Sequence, residues 1–139
     1  MKSKRDELFE AYENLLRVRG ECAFQISNEC TVSDLTVRQI EYLKIIDNHR
    51  DITFSKLADI TRNSKPTITE MINKFLHFDC VSKEKSSDDA RVSYIRLTDK
   101  GEHIARHELI TIYRVVDRIL DSLNEKEVEQ LISLFIKVK

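Results

Sequence analysis

The sequence predicts a mainly α-helical chain with one small β-hairpin, an α+β class in which a compact middle segment lies between helical ends. Three observations predict it. Apolar residues recur at three- and four-residue spacing through most of the 139 positions, the signature of amphipathic helices. Only two glycines and one proline interrupt the chain, few enough to let helices run long. Around residues 92–97 the period changes to two, with Val92, Tyr94 and Arg96 alternating against Ser93, Ile95 and Leu97, as in a half-covered strand.

Residues 4–30 form the first helical pattern, with Leu8, Tyr12, Leu15, Leu16, Cys22, Ala23 and Ile26 on one stripe. Gly20 interrupts it at a cost of about 1 kcal/mol relative to alanine. So long a helix cannot all cover one small domain, and part of its apolar face is expected to meet a second chain. A polar break at 31–34 precedes Leu35 and Thr36. Thr36 with Gln39 fits a capping box, in which hydroxyl and amide each satisfy an orphan backbone N–H. The helix it opens is expected to reach Asn48 and to bury Val37, Ile40, Leu43 and Ile46. After a loop at 49–51, Thr53 caps a short helix containing Leu57, Ala58 and Ile60. Residues 61–64 make a turn, and Pro66 suits the first turn of the next helix, where its missing N–H loses no partner.

That next helix has two unlike faces. Ile68, Met71, Ile72, Phe75 and Leu76 recur at helical spacing toward a core. Asn63, Pro66, Thr67, Glu70, Asn73 and Lys74 fall on the other side, which is polar and free to lie against something in water. Asp79 stands where the helix should stop, a residue type that tolerates the left-handed conformation. Strands at 80–83 and 92–97 then flank a charged tip, Ser86, Ser87, Asp88, Asp89, Ala90 and Arg91. Thr98 caps a second long helix carrying Ile104, Leu109, Ile112, Tyr113, Val116, Ile119 and Leu120. Asn124 with Glu127 repeats the capping pattern and opens a last helix, 125–137. Its Val128, Leu131, Ile132, Leu134, Phe135 and Ile136, with Val138 beyond, hold more apolar surface than one face can bury. Dense exposed apolar surface marks a partner site, and the simplest partner is a second copy.

Composition excludes several classes. No stretch has the uninterrupted apolar length that spans a membrane, and the N-terminal residues lack the apolar core of a signal peptide. A cytoplasmic location is therefore expected. Three widely spaced cysteines argue against a disulfide framework. Two isolated glycines cannot build a phosphate-cradling loop, and there is no HExxH, CxxC or nucleophile elbow. No enzyme and no cofactor are expected. The net charge is −1, with +2 on residues 62–100 and −3 elsewhere, so attraction to phosphate must come from where the basic groups point.

A short helix, a turn, a second helix and a charged hairpin together read as a winged helix-turn-helix, whose second helix enters the DNA major groove. The order of long helix, Leu35-Thr36 helix, Leu57-Ala58 helix, Lys65-Pro66-Thr67 helix, Asp89-x-Arg91 hairpin and Leu97-Thr98-x-Lys100-Gly101 exit resembles the MarR (multiple antibiotic resistance regulator) family over nearly the whole chain. The resemblance implies a homodimeric winged-helix transcription regulator whose N- and C-terminal helices dimerise. It divides the chain into an N-terminal dimerisation helix (1–34), a DNA-binding domain (35–100) and C-terminal dimerisation helices (101–139). Two departures stand out: Asp79-Cys80 where the family commonly has Gly then Leu, and Lys83 where Arg often begins the wing, which keeps charge without the bidentate fork.

Carried over by position, Ser64, Lys65, Pro66, Thr67, Thr69 and Asn73 would occupy the recognition helix. Arg91 would enter the minor groove, where a narrow groove attracts a guanidinium, with Asp89 bracing it. A Thr methyl suits thymine and an Asn amide suits adenine. Lys65, Lys74 and Lys85 are expected to position the protein on phosphates. Glu70 is expected to pair with Lys74 at i,i+4; otherwise it would accept from a cytosine amine. The expected function is a ligand-responsive repressor that binds double-stranded DNA at a pseudo-palindrome. Half-sites about one helical turn apart would face two recognition helices. A small anionic effector would change their separation, with Arg17, Arg19 and Tyr113 as candidate lining. Two alternatives share the fold. A metal sensor would use His103 and His107, four apart on a helix, with Glu102, Glu108, Cys30 and Glu41 nearby. A redox sensor would use Cys22, with Arg17 and Arg19 close enough to lower a thiol pKa. A helical protein-interaction module without DNA binding is a third reading.

Overall fold

A computed structural model describes residues 1–29 and 35–139; the expected break at 31–34 and Cys30 lie outside the described residues. The chain divides into two compact units, one of Met1–Glu29 with His107–Lys139 and the other of Cys30–Arg106.

The second unit starts with α2 (Val37–Asn48), whose capping box between Thr36 and Gln39 is complete on both sides. Strand β1 (Ile52–Thr53) leads into α3 (Phe54–Thr61), capped by the Thr53 hydroxyl. Helix α4 (Lys65–His77) is capped by Ser64 and has its proline in the first turn. Strands β2 (Val81–Lys85) and β3 (Ser93–Leu97) form the hairpin, and Thr98 caps α5 (Asp99–Ala105). The three strands make one antiparallel sheet in the order β1-β3-β2, with Ile52 opposite Ile95 and Val81 opposite Leu97. Sequence periodicity misses β1, because two residues carry no period and become a strand only through β3.

Leu43, Ile46, Ile52, Leu57, Ile68, Ile72, Phe75, Cys80, Ile95 and Ile104 close one hydrophobic core. Burying a side chain of this size contributes roughly 1.5–3 kcal/mol. The mainly α class with a small sheet is thus the observed one. Of the residues expected inward on α2, Ile40 is half-buried against this core and Val37 is 78% exposed. It is the first residue of its helix, where the apolar face is not yet enclosed. Two ion-pair clusters tie the unit's surface together. Arg106 makes a two-pronged contact to Asp47 of α2 (Nη2–Oδ1 2.7 Å, Nε–Oδ2 3.0 Å), and Arg96 joins Asp51 to Glu84.

The end of α4 is fastened unusually well. Asp79 adopts φ 57°, as its place at the helix stop predicts, and its N–H donates to the Leu76 carbonyl at 3.1 Å while that of Cys80 donates to Phe75 at 2.8 Å. This is the left-handed cap that satisfies orphan carbonyls. The exit of the hairpin grips the carbonyls that remain. Lys100 Nζ donates to Phe78 O at 2.8 Å, Thr98 Oγ1 to Asp79 O at 2.6 Å, and the Thr98 N–H to Cys80 O at 3.0 Å. Gly101 lies so near that a Cβ there would stand 2.0 Å from the Cys80 carbonyl oxygen.

The first unit comprises α1 (Lys4–Glu29), α6 (His107–Ser122) and α7 (Glu125–Lys137). Asn124 and Glu127 complete the capping box of α7. A single helix from Thr98 through Leu120 is not what forms: the helical run breaks at Arg106, with α5 before it and α6 after. Neither Gly nor Pro stands at that break, so no local signal marked it. Cys22, Ile26 and Thr111 are buried in this unit, and Glu21–Arg118 and Glu29–Arg114 (each 2.7 Å) link α1 to α6. No residue of α7 is buried. Among the described residues no helix is long and apolar enough to cross a membrane.

Gly20 sits in mid-helix, and a Cβ added there would meet nothing within 4 Å. Gly20→Ala should therefore raise stability by about 1 kcal/mol through helix propensity alone, read as a rise in urea midpoint at constant slope.

Candidate nucleic-acid interface

Helix α4 is held by Ile68, Ile72 and Phe75, all fully buried, which turns Lys65, Thr67, Thr69, Glu70, Asn73 and Lys74 outward; all six are exposed. Met71 and Leu76, also expected inward, are half-buried. Ser64 Oγ accepts from the Thr67 N–H at 3.3 Å and lies 2.8 Å from Thr67 Oγ1. Thr69 Oγ1 donates back to the Lys65 carbonyl at 3.0 Å. Each threonine hydroxyl thus has a partner within its own turn of the helix. No acid stands in the first turn, so the positive end of the helix dipole is uncompensated there.

The hairpin tip is organised without glycine. Ser86 Oγ accepts from the N–H groups of Asp88 and Asp89 (3.2 and 3.4 Å), and Asp89 Oδ1 accepts from the Arg91 N–H at 3.0 Å. The Arg91 side chain is 94% exposed, with Nε 3.9 Å from Asp89 Oδ1. Asp89 thus fixes the backbone that carries Arg91 and leaves the guanidinium projecting into solvent. Lys85 is exposed at the end of β2. Lys83 lies over the Phe54 ring, 5.4 Å from its centroid, and a groove of about 510 Å³ there is lined by Thr53, Ser55, Lys83 and Arg91.

A second groove, of about 500 Å³, runs beside α4 and is lined by Thr36, Arg38, Tyr42, Asn63, Thr67, Glu70 and Lys74 among others. In its wall the Tyr42 hydroxyl accepts from Asn63 Nδ2 at 2.7 Å and from Arg38 Nη2 at 3.2 Å. The Arg38 guanidinium, the largest cause, holds the phenol pKa below its usual value, and Asn63 adds to it. This cluster pins the turn before α4 to α2. Sequence reasoning missed it because Tyr42 and Asn63 are 21 residues apart. The expected Glu70–Lys74 pair is corrected: Lys74 Nζ lies 6.0 Å over the Phe78 ring, and Glu70 has no ion pair among the described residues. Glu70 and Phe78 each stand one turn from Lys74, and the ammonium lies over the aromatic face, a favourable cation–π placement.

The remaining candidates sit elsewhere. Arg17 pairs with Glu21 and bonds Asn14 at 2.8 Å, while Arg19 approaches Glu108 at 3.7 Å. Tyr113 is exposed. Cys22 is buried; Arg114 of α6 is pushed upward first by its bond to Glu29 and least by Cys22. Arg118 is pushed upward first by its bond to Glu21 and next by the thiol. His103 lies on α5 and His107 begins α6, so they do not share a continuous helix. His107 Nε2 is 3.1 Å from Ser27 Oγ, and His103 Nε2 is buried without a hydrogen-bond partner among the described residues. Among the described residues no three His, Cys, Asp or Glu side chains are grouped to hold a metal ion.

Residues 35–93 match the family model for the MarR family. No curated protein matches the chain. Among solved structures it is similar to S. aureus MepR bound to ethidium bromide, at 15% identity, covering 98% of this chain and 94% of that one with a TM-score of 0.62. It is also similar to YusO from Bacillus subtilis, at 19% identity, covering 99% and 97% with a TM-score of 0.58. A third similar structure is Streptococcus pneumoniae FabT in complex with DNA, at 20% identity, covering 96% and 91% with a TM-score of 0.56. At these identities the likeness is one of fold.

Proposed function

We propose, on the premise that this chain carries a MarR-family domain at residues 35–93, that it is a sequence-specific, DNA-binding transcriptional regulator that acts as a homodimeric, ligand-responsive repressor. The observation that carries the reading is the paired display on one unit: a helix whose polar face is wholly exposed, and a hairpin tip whose arginine projects while its backbone is fixed. Ser64, Lys65, Pro66, Thr67, Thr69 and Asn73 would meet the major groove, Lys74 and Lys85 the phosphates, and Arg91, braced by Asp89, the minor groove. The similar FabT structure contains DNA, which supports the same partner here. A cytoplasmic location goes with that partner.

The dimer reading rests on the first unit. Leu8, Phe9, Tyr12, Phe135 and Val138 are each more than half exposed and line an apolar hollow of about 1010 Å³. Contiguous apolar surface on that scale needs a cover, and a second copy presents the same residues to itself about a twofold axis. Light scattering behind size exclusion should give a mass near twice 16.3 kDa at micromolar concentration, and Phe135→Glu should shift it to one chain. An anionic effector at Arg17, Arg19 and Tyr113 would have to displace Glu21 and Glu108 from the two guanidiniums. Selection of bound duplexes from random DNA tests the whole reading: enrichment of a two-fold symmetric sequence is expected, and binding without sequence preference would sink it.

A further inference from the structure

We infer that Glu70 is a specificity-determining residue which reads the 4-amino group of one cytosine in each half-site. The inference rests on the DNA-binding reading above and deepens it. Glu70 lies on the exposed face of α4, one turn beyond Thr67 and one turn before Asn73 and Lys74. Its carboxylate lines the same groove as two cations, Arg38 and Lys74, and pairs with neither. Arg38 is held on the Tyr42 hydroxyl (Nε 3.3 Å, Nη2 3.2 Å) and stacks 5.8 Å from that ring's centroid. Lys74 is held over Phe78. The carboxylate therefore reaches a duplex unneutralised.

An unneutralised carboxylate beside phosphates weakens binding to every sequence unless a base edge supplies a donor. In the major groove cytosine presents an amino donor, guanine two acceptors and thymine an acceptor with a methyl. Adenine places its amino donor beside the N7 acceptor, which would repel the second carboxylate oxygen. Cytosine is the base whose edge satisfies the carboxylate with least opposition. Glu70 acts in both directions: it gains a bond where cytosine is present and enforces repulsion where it is absent.

The test uses the full chain. Wild type and Glu70→Gln are each used to select bound duplexes from random DNA, and the selected wild-type site is then made with that cytosine lacking its 4-amino group. Wild type should enrich cytosine at one position of each half-site and lose affinity roughly tenfold for the duplex in which hydrogen replaces that 4-amino group. Glu70→Gln should bind both duplexes within about twofold and shift the selected base toward adenine, since a glutamine amide matches adenine's paired acceptor and donor. If Glu70→Gln selects the wild-type sequence and only binds it more tightly, Glu70 is a repulsive charge and the inference is wrong. If wild type enriches a symmetric site that has no position responding to residue 70, the inference fails while DNA binding stands. If wild type enriches nothing, both fail together.

Discussion

Gly101→Ala will cost the winged-helix unit about 3 kcal/mol or more, at the upper end of what overpacking does, and lower its melting temperature by roughly 15 °C. The new Cβ would stand 2.0 Å from the Cys80 carbonyl oxygen and 2.9 Å from its carbon. Neither obstacle is a flexible side chain. That carbonyl accepts the Thr98 N–H, and Cys80 is itself fully buried with its N–H on Phe75. Relief would have to come from separating α5 from the end of α4, which breaks the Thr98 and Lys100 bonds to residues 78–80 at the same time. DNA affinity should fall in step with stability, since α4 would lose the fastening of its C-terminal end. A calorimetric melt of the variant within about 3 °C of wild type would mean that the backbone can retreat, and that the Thr-x-Lys-Gly sequence owes its form to something else.

Arg91→Ala will behave in the opposite way, leaving stability alone and removing at least tenfold in affinity for the selected site. The side chain is 94% exposed with one distant ion-pair partner, so its loss in the free protein should move the melting temperature by no more than about 1 °C; exposed pairs of this kind contribute little. The tip should keep its shape, because the bond from Asp89 goes to the Arg91 backbone N–H and survives the change. A guanidinium in a narrow minor groove gains from the enhanced potential there. The slope of log affinity against log salt should fall by about one. Unchanged affinity at moderate salt would remove Arg91 from the interface.

The caps were legible in the residues because capping is local. Thr36 with Gln39, Thr53, Thr98 and Asn124 with Glu127 each act over three positions, and all four cap as read. The two faces of α4 were legible for the same reason: helical spacing alone separates Ile68, Ile72 and Phe75 from Thr67, Glu70 and Asn73. What spans the chain was not. Strand β1 depends on a partner more than 40 residues later. Arg38 and Tyr42 are four apart on α2, but the Asn63 amide that completes their cluster comes from 21 residues away. Glu70 shows how a local rule can also mislead, since Lys74 has an i,i+4 neighbour on each side, and the Phe78 ring that follows takes the lysine rather than the Glu70 carboxylate before it. The break at Arg106 has no local cause in composition, and its bidentate bond to Asp47 is visible only once α2 and α5 are packed.

The grip of Thr98 and Lys100 on residues 78–80 makes the end of α4 and the base of the hairpin one stiff piece, much as the two jaws of a calliper share a beam. A duplex offered to such a gauge cannot be fitted by stretching the gauge. One base pair inserted between the two points of contact lengthens the interval by about 3.4 Å, more than hydrogen bonds of 2.6–3.0 Å can follow without parting. With α4 and the hairpin tip as the two points of contact, a target carrying that insertion should bind more weakly than the selected site at equal salt.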